Sequence, residues 1–199
     1  MEDLSTAELL KRARARDEAA FAELVKRHQA VLLRTARGLL GPGGAHEDAV
    51  QETFWKLCRK PPHLTDEDPE LQERQLGRWL LQVTRNHCMD QARQETRRRR
   101  RERASARPES TPGGIDRVET ADEGQRVEQM LHTLPEAQRE VLVLRLCSEK
   151  SYREIAEMTG RTVGTVGWLI SQGLKELTAR LEPAPSANPE TDPVLGSQV

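Results

Sequence analysis

Apolar residues recur along the chain at three- and four-residue spacing, and no stretch alternates apolar with polar as a half-buried strand would. Ser5 and Glu8 have the spacing of a capping box, so a short helix is predicted to open there, and Asp17 is placed to cap the next. Phe21, Leu24, Val25, Leu32, Ala36 and Leu39 keep one long helix in phase. It stops at Gly41-Pro42-Gly43-Gly44, where free backbone rotation meets a missing donor. A third helix runs from about Glu47 to Arg59 and ends before Pro61-Pro62, because proline drives its predecessor out of helical geometry. After an acidic loop from Pro61 to about Glu73, the helical period resumes near Leu76. It carries Trp79, Leu80, Val83, His87 and Met89 toward the run Arg97 to Arg101. Further helices are predicted at about Glu123 to Thr133, Pro135 to Cys147, Tyr152 to Thr159 and Val163 to Arg180.

Composition divides this helical string. From Ala104 to Glu119 the chain is rich in Ser, Pro, Gly and Thr, with too little apolar surface to offset the entropy of ordering, so it reads as a linker. The expectation is an all-α protein of two small helical domains, 5–103 and 123–181, joined by a flexible linker at 104–122. From Glu182 the remainder, with four prolines, three acidic groups and no basic one, is expected to be disordered.

Total charge is uninformative, at −1 from 31 Lys and Arg against 32 Asp and Glu, so only its distribution can point to a partner. Between Arg85 and Arg103 stand eight arginines and three acidic residues, a local excess of +5 that continues an apolar helix. Cys58, Cys88 and Cys147 are far apart and unpaired in pattern, and read as small buried or half-buried residues. The five histidines, His28, His46, His63, His87 and His132, lack ligand spacing. No nucleophile motif, phosphate loop or dinucleotide fingerprint is present, so an enzyme, a metal site, a cofactor and a small-molecule substrate are not expected. No apolar run approaches the roughly 20 residues of a membrane span, and a cytoplasmic location is expected.

The densest local pattern lies near the C-terminus. Ser151 and Glu154 form a second capping box; Tyr152, Ile155, Ala156 and Met158 make a short buried face; Gly160 ends that helix. Thr162 then caps a longer one, in which Val163, Val166, Ile170, Gly173, Leu174 and Leu177 form the buried stripe. Short helix, tight turn and longer helix make a helix-turn-helix, although a plain helical hairpin in a bundle has the same spacing. The string Leu134-Pro135-Glu136-Ala137-Gln138-Arg139-Glu140-Val141-Leu142-Val143-Leu144-Arg145, with Ser151-Tyr152-Arg153-Glu154-Ile155-Ala156 and Thr162-Val163-Gly164-Thr165-Val166, closely resembles the promoter-binding fourth region of extracytoplasmic-function sigma factors.

That resemblance implies that the last helix reads the minus-thirty-five element. Ser171 and Gln172 can hydrogen-bond base edges, Thr165 can touch a thymine methyl, and Arg161 and Lys175 can hold the backbone, with Thr162 at the helix start. Sigma factors of this type usually carry several basic residues on the free face, whereas here it shows Gly164, Thr165, Gly167, Trp168, Ser171, Gln172 and Lys175. Fewer phosphate contacts weaken binding and flatten its salt dependence. Trp168 has three open roles: DNA, polymerase, or cover for its own core.

Two upstream segments extend the resemblance. Glu47-Asp48-Ala49-Val50-Gln51-Glu52-Thr53-Phe54-Trp55-Lys56-Leu57 is similar to the segment with which sigma factors grip core RNA polymerase. By that resemblance Asp48, Gln51, Glu52 and Phe54 are partner contacts, with the core as the alternative for Phe54. Arg78-Trp79-Leu80-Leu81-Gln82-Val83-Thr84-Arg85-Asn86-His87-Cys88-Met89-Asp90 resembles the segment that captures the minus-ten element. It implies Arg85, Asn86 and Asp90 near the melted strand, and Arg93, Arg97, Arg98, Arg99 and Arg100 on phosphates. Trp79, in an apolar stripe, is read as core rather than as a stacking platform.

The function implied is promoter-specific transcription initiation, with core RNA polymerase and promoter DNA as partners and an anti-sigma factor as a possible third. Two rivals remain: a sigma-like decoy that binds an anti-sigma factor, and a stand-alone helix-turn-helix regulator, which leaves the Asp48 face and the arginine helix unexplained.

Overall fold

The structure, a computed structural model, describes residues 4–41, 43–105 and 129–181. Among them are seven helices and no strand: α1 (Thr6–Arg14), α2 (Glu18–Leu40), α3 (His46–Arg59), α4 (Pro69–Ser105), α5 (Glu136–Leu146), α6 (Tyr152–Thr159) and α7 (Val163–Leu181). A helical turn over 129–132 precedes α5, while most of the predicted helix from Glu123, the linker and the tail lie outside the described residues.

The caps are where the residue types place them. Ser5 accepts from Glu8 N at 3.3 Å, Asp17 from Ala19 N and Ala20 N at 3.0 and 3.1 Å, and Ser151 with Glu154 closes a full capping box. Gly160 ends α6 in left-handed geometry.

One boundary differs from expectation. The acidic loop is shorter than predicted, because α4 begins at Pro69 and not near Leu76. Asp68 caps it, accepting from Glu70 N at 2.8 Å, and Pro69 fits the first turn, where its missing N–H costs nothing. Gln72 and Gln75 then tie the loop back onto α4 through Asp66 O at 2.8 Å and Thr65 Oγ1 at 3.0 Å.

Helices α1 to α4 enclose Leu9, Leu24, Leu32, Leu76 and Leu80, all fully buried. Truncating one such leucine to alanine costs about 2–5 kcal/mol. Thr53 and Thr84 lock α3 to α4, their buried hydroxyls 2.9 Å apart. Trp79 packs half-buried on this core, as expected of it. Of the cysteines Cys88 is buried and Cys147 half-buried, but Cys58 is exposed.

The second helical set packs on the first. Helix α5 buries five consecutive residues, Glu140 to Leu144, so it has no free face along that stretch. Leu142 meets α7 at Gly173, while Val143 fits against Gly38 of α2, where a Cβ would lie 2.8 Å from Val143 Cγ2. Beside this seam Thr35 donates to Val31 O at 2.7 Å, which leaves its oxygen to accept from Ser148 at 2.8 Å. His132 lies against Gly41, whose φ of +79° and lack of a side chain both matter there.

Burial, reinforced by Arg139, pushes His132 down to about 4 from 6.5. Burial also lowers His28, against the opposing Glu73 carboxylate 3.3 Å from its Nε2, while Arg27 adds to the lowering. The His132 imidazole is therefore neutral in the folded chain near pH 7. The unfolded chain binds its proton first, so its contribution is complete above pH 6.5 and is lost as pH falls toward 4. Screened for its half-exposed site, His132 should account for about 1–2 kcal/mol of that loss. Thermal melts of His132→Asn between pH 7 and 4.5 should fall less steeply than those of the natural chain; parallel curves would contradict the assignment.

Candidate partner-binding and nucleic-acid interfaces

Helix α3 turns Ala49, Val50, Thr53, Phe54 and Leu57 inward, which leaves Asp48, Gln51 and Glu52 exposed, with no hydrogen bond or ion pair to a described residue. Phe54 departs from the partner role assigned to it: it is only 7% exposed and stands edge-on to Phe21, ring centroids 6.3 Å apart. Its neighbour Trp55, which the sequence reading passed over, is 56% exposed, and the Arg59 guanidinium lies 4.7 Å from its ring centroid. Positions 48, 51, 52, 55 and 59 share one helical stripe, so this face carries two carboxylates, an amide and an aromatic-arginine stack.

Helix α4 sorts its charges by face. Asn86, Asp90, Arg93, Arg97 and Arg100 recur at helical spacing along one exposed stripe. Arg97 and Arg100 have no acidic partner among the described residues, and Asp90 and Arg93 are 3.6 Å apart. On the other side Glu95 binds Arg98 at 2.8 Å and Arg99 at 2.7 Å, and Glu102 stands 3.4 Å from Arg98. Hydrogen bonds from Arg98 and then Arg99 hold the Glu95 carboxyl down at about 2. Arg98 and Arg99 thus lie on a face that carries its own carboxylates, whereas Arg97 and Arg100 do not. Arg101, which that expectation omitted, borders the free stripe and is exposed.

Arg85 sits apart from this stripe. Its side chain is 15% exposed and points at Glu140 of α5, Nε donating to Oε1 at 2.7 Å, while Nη1 donates to Asn86 Oδ1 at 2.9 Å. It does not face solvent in this structure.

In the C-terminal set Thr162 caps α7, accepting from Thr165 N at 3.1 Å. The free face carries Thr165, Trp168, Ser171 and Lys175 exposed and Gln172 half-exposed. Trp168, at 60% exposure, does not cover its own core. Val163 and Leu174, predicted as buried, are 49% and 45% exposed, and Leu169 takes the buried place instead. Arg161 is turned inward and donates from Nη1 to Glu140 Oε2 at 2.6 Å. Among the described residues no cluster of His, Cys, Asp and Glu could hold a metal ion, and no helix is long and apolar enough to cross a membrane.

Residues 24–98 match the family described as sigma-70 region 2, and residues 124–177 that described as sigma-70, region 4. The RNA polymerase sigma factor CnrH of Cupriavidus metallidurans is 30% identical over 185 residues, 87% of this chain and 93% of that one. The chain belongs to the extracytoplasmic-function sigma factors. Such proteins are initiation subunits and not enzymes in the catalytic sense. The sigma factor is also 29% identical to ECF RNA polymerase sigma factor RpoE of Cereibacter sphaeroides over 166 residues, 81% of this chain and 86% of that one. Among solved structures it resembles CnrH in complex with the cytosolic domain of CnrY (TM-score 0.57, 26% identity, 87% of this chain and 94% of that one). It resembles equally RpoE in complex with the anti-sigma factor NepR from Bartonella quintana (TM-score 0.58, 25% identity, 80% and 96%).

If the sorted faces of α4 govern DNA binding, arginines on the two faces should differ in effect per residue removed. Replacing Arg97, Arg100 and Arg101 with alanine should reduce the salt slope of promoter binding by about 2–3, near 0.9 per phosphate contact, whereas Arg98→Ala with Arg99→Ala should change it by less than about 1. Equal loss per arginine in the two variants would remove the distinction.

Proposed function

We propose that this sigma factor acts from the cytoplasm through two helical domains, 5–103 and 123–181, joined by the linker 104–122. The first docks on core RNA polymerase through the α3 stripe of Asp48, Gln51 and Glu52, with Trp55 and Arg59 extending it. Tryptophan and arginine are both residue types enriched at the hot spots of protein interfaces. The same domain opens the minus-ten element with Asn86 and Asp90 near the melted strand and Arg93, Arg97 and Arg100 on its phosphates. Extruding a base costs a few kcal/mol, which a basic groove beside base pockets can offset. The second domain reads the minus-thirty-five element with Thr165, Ser171, Gln172 and Lys175, Trp168 lying on the same face.

The observation that carries this reading is the continuity of α4. One 37-residue helix contributes core side chains in its first half and an exposed arginine stripe in its second, where Arg97 and Arg100 have no acidic partner among the described residues, so a melted strand held there is referred rigidly to the domain that holds polymerase. An anti-sigma factor is a further partner, since both similar solved complexes pair a sigma factor with such a protein or with a cytosolic domain bound to it.

A decoy role is the second reading, favoured by Val163, Trp168 and Leu174 standing exposed on a helix whose free face has Lys175 as its cation. Apolar exposure of that kind suits a protein partner better than phosphates.

Run-off transcription with core polymerase on fragmented genomic DNA should yield discrete transcripts that share an upstream sequence. Polymerase binding without transcripts would establish the decoy instead. Alanine at Asp48, Gln51 and Glu52 together should weaken core affinity at least tenfold and move the thermal midpoint by no more than a degree or two, because exposed polar positions contribute little to folding. Trp55→Ala should do the same. Unfolding of the triple variant would show those residues to be structural.

A further inference from the structure

We propose that α7 selects thymine·adenine pairs in the minus-thirty-five element: Trp168 packs on thymine methyls across the space left by Gly164, and Gln172 pairs with an adenine edge. The inference rests on the promoter-reading role proposed above for α7 and names the base pairs that this role selects.

Gly164, Trp168, Ser171 and Lys175 recur at intervals of four, three and four residues, so they form the outermost line of the helix, with Thr165 and Gln172 beside it. In a helix-turn-helix the first turns of the second helix meet the base edges. What α7 offers there is apolar. Trp168 is 60% exposed and Val163 49%. The Thr165 hydroxyl is engaged with that of Thr162 at 2.9 Å, which leaves a methyl as the group it can present. Methyl-bearing and aromatic side chains are the natural partners of the thymine C5 methyl in the major groove.

Guanine is read by a guanidinium or an ammonium on O6 and N7. Among the described residues neither is free at this end of α7. Arg161 is held by Glu140, and Arg180 pairs with Glu176 at 2.8 Å. Lys175 lies seven residues beyond Trp168, about 10 Å further along the helix. Arg153 of α6 is exposed, but the first helix of such a pair crosses the backbone and so reaches phosphates. Gln172 makes no hydrogen bond to a described residue, and its amide matches adenine N6 and N7. It follows Trp168 by four residues, about 6 Å or roughly two base pairs of rise, so the methyl and the adenine edge belong to neighbouring pairs.

Gly164 supplies the room. Its backbone is not in the left-handed region, and a Cβ there would meet nothing nearer than Thr162 Oγ1 at 3.9 Å. Neither conformation nor packing calls for a glycine at this position, and glycine weakens a helix relative to alanine. The missing side chain opens a gap one turn before Trp168, through which a base edge can reach the ring.

A duplex library randomised over the promoter length, bound by the full chain with core polymerase and checked by run-off transcription, tests this. Selected minus-thirty-five elements should carry adjacent thymine·adenine pairs. Deoxyuridine in place of those thymines removes only the C5 methyl and should lower affinity about threefold or more. Trp168→Ala should lower affinity by a similar factor and become indifferent to deoxyuridine; a variant that still senses the methyl overturns the role of the ring. Gly164→Leu should keep or raise the thermal midpoint yet lower promoter affinity about tenfold. A lower midpoint would make that glycine structural and overturn the gap. Guanine-rich elements, or equal affinity for thymine and deoxyuridine, overturn the base assignment while the promoter-reading role stands. If no element is selected and no discrete transcript appears, that role itself fails and the assignment falls with it.

Discussion

A carboxylate almost wholly removed from water, Glu140, is the point on which the two halves of this sigma factor converge. Desolvating it costs several kcal/mol, which the two arginines offset only while both stay in place, and breaking such a cluster by losing one partner typically costs about 3–5 kcal/mol. The helix that carries it has to serve two neighbours at once. Leu142 fills the space left by Gly173 on one side and Val143 the space left by Gly38 on the other. Helix α5 is thus core for its own helix-turn-helix and the docking element for α2, and the position of the residues proposed to read the promoter follows from it.

Most of the helical layout was legible, because caps and breakers act locally. Ser5, Asp17, Gly41, Ser151 and Gly160 mark element ends by side-chain or backbone chemistry within a few residues. The start of α4 is signalled as well, by Asp68-Pro69, where proline serves as a first-turn residue and not as part of the loop. On α7 the periodicity places Val163 and Leu174 inside, yet among the described residues it packs chiefly on α5 and α6, and the buried positions are Val166, Leu169, Ile170 and Gly173.

The candidate interfaces divide along the same line. Asn86, Asp90, Arg93, Arg97 and Arg100 are implied by the resemblance, and helical spacing puts them on one exposed stripe. The neutralisation of Arg98 and Arg99 by Glu95 was also within reach, at three and four residues, but the run was read as a block of charge. The inward turn of Arg85 and Arg161 was not, since Glu140 lies 55 and 21 positions away and no local pattern joins them. Phe54 and Trp55 show the cost of a one-residue difference on a helix, where 100° separates a core ring from an exposed one.

Charge placement, not net charge, distinguishes the working surfaces. An acidic stripe on α3 and an arginine stripe on α4 coexist in a chain of near-zero total, and α7 is left with few cations. A reader helix of low charge can suffice when it is tethered, because attachment through the first domain raises its local concentration at the promoter. The account therefore makes domain separation the central event of initiation by this protein. Energy transfer between a donor on the exposed Cys58 and an acceptor at the exposed Thr178→Cys, with Cys147→Ser, measures that separation directly. Efficient transfer in the free protein and its loss on binding core polymerase with promoter DNA is the predicted result; transfer that stays unchanged in an actively transcribing complex would contradict it.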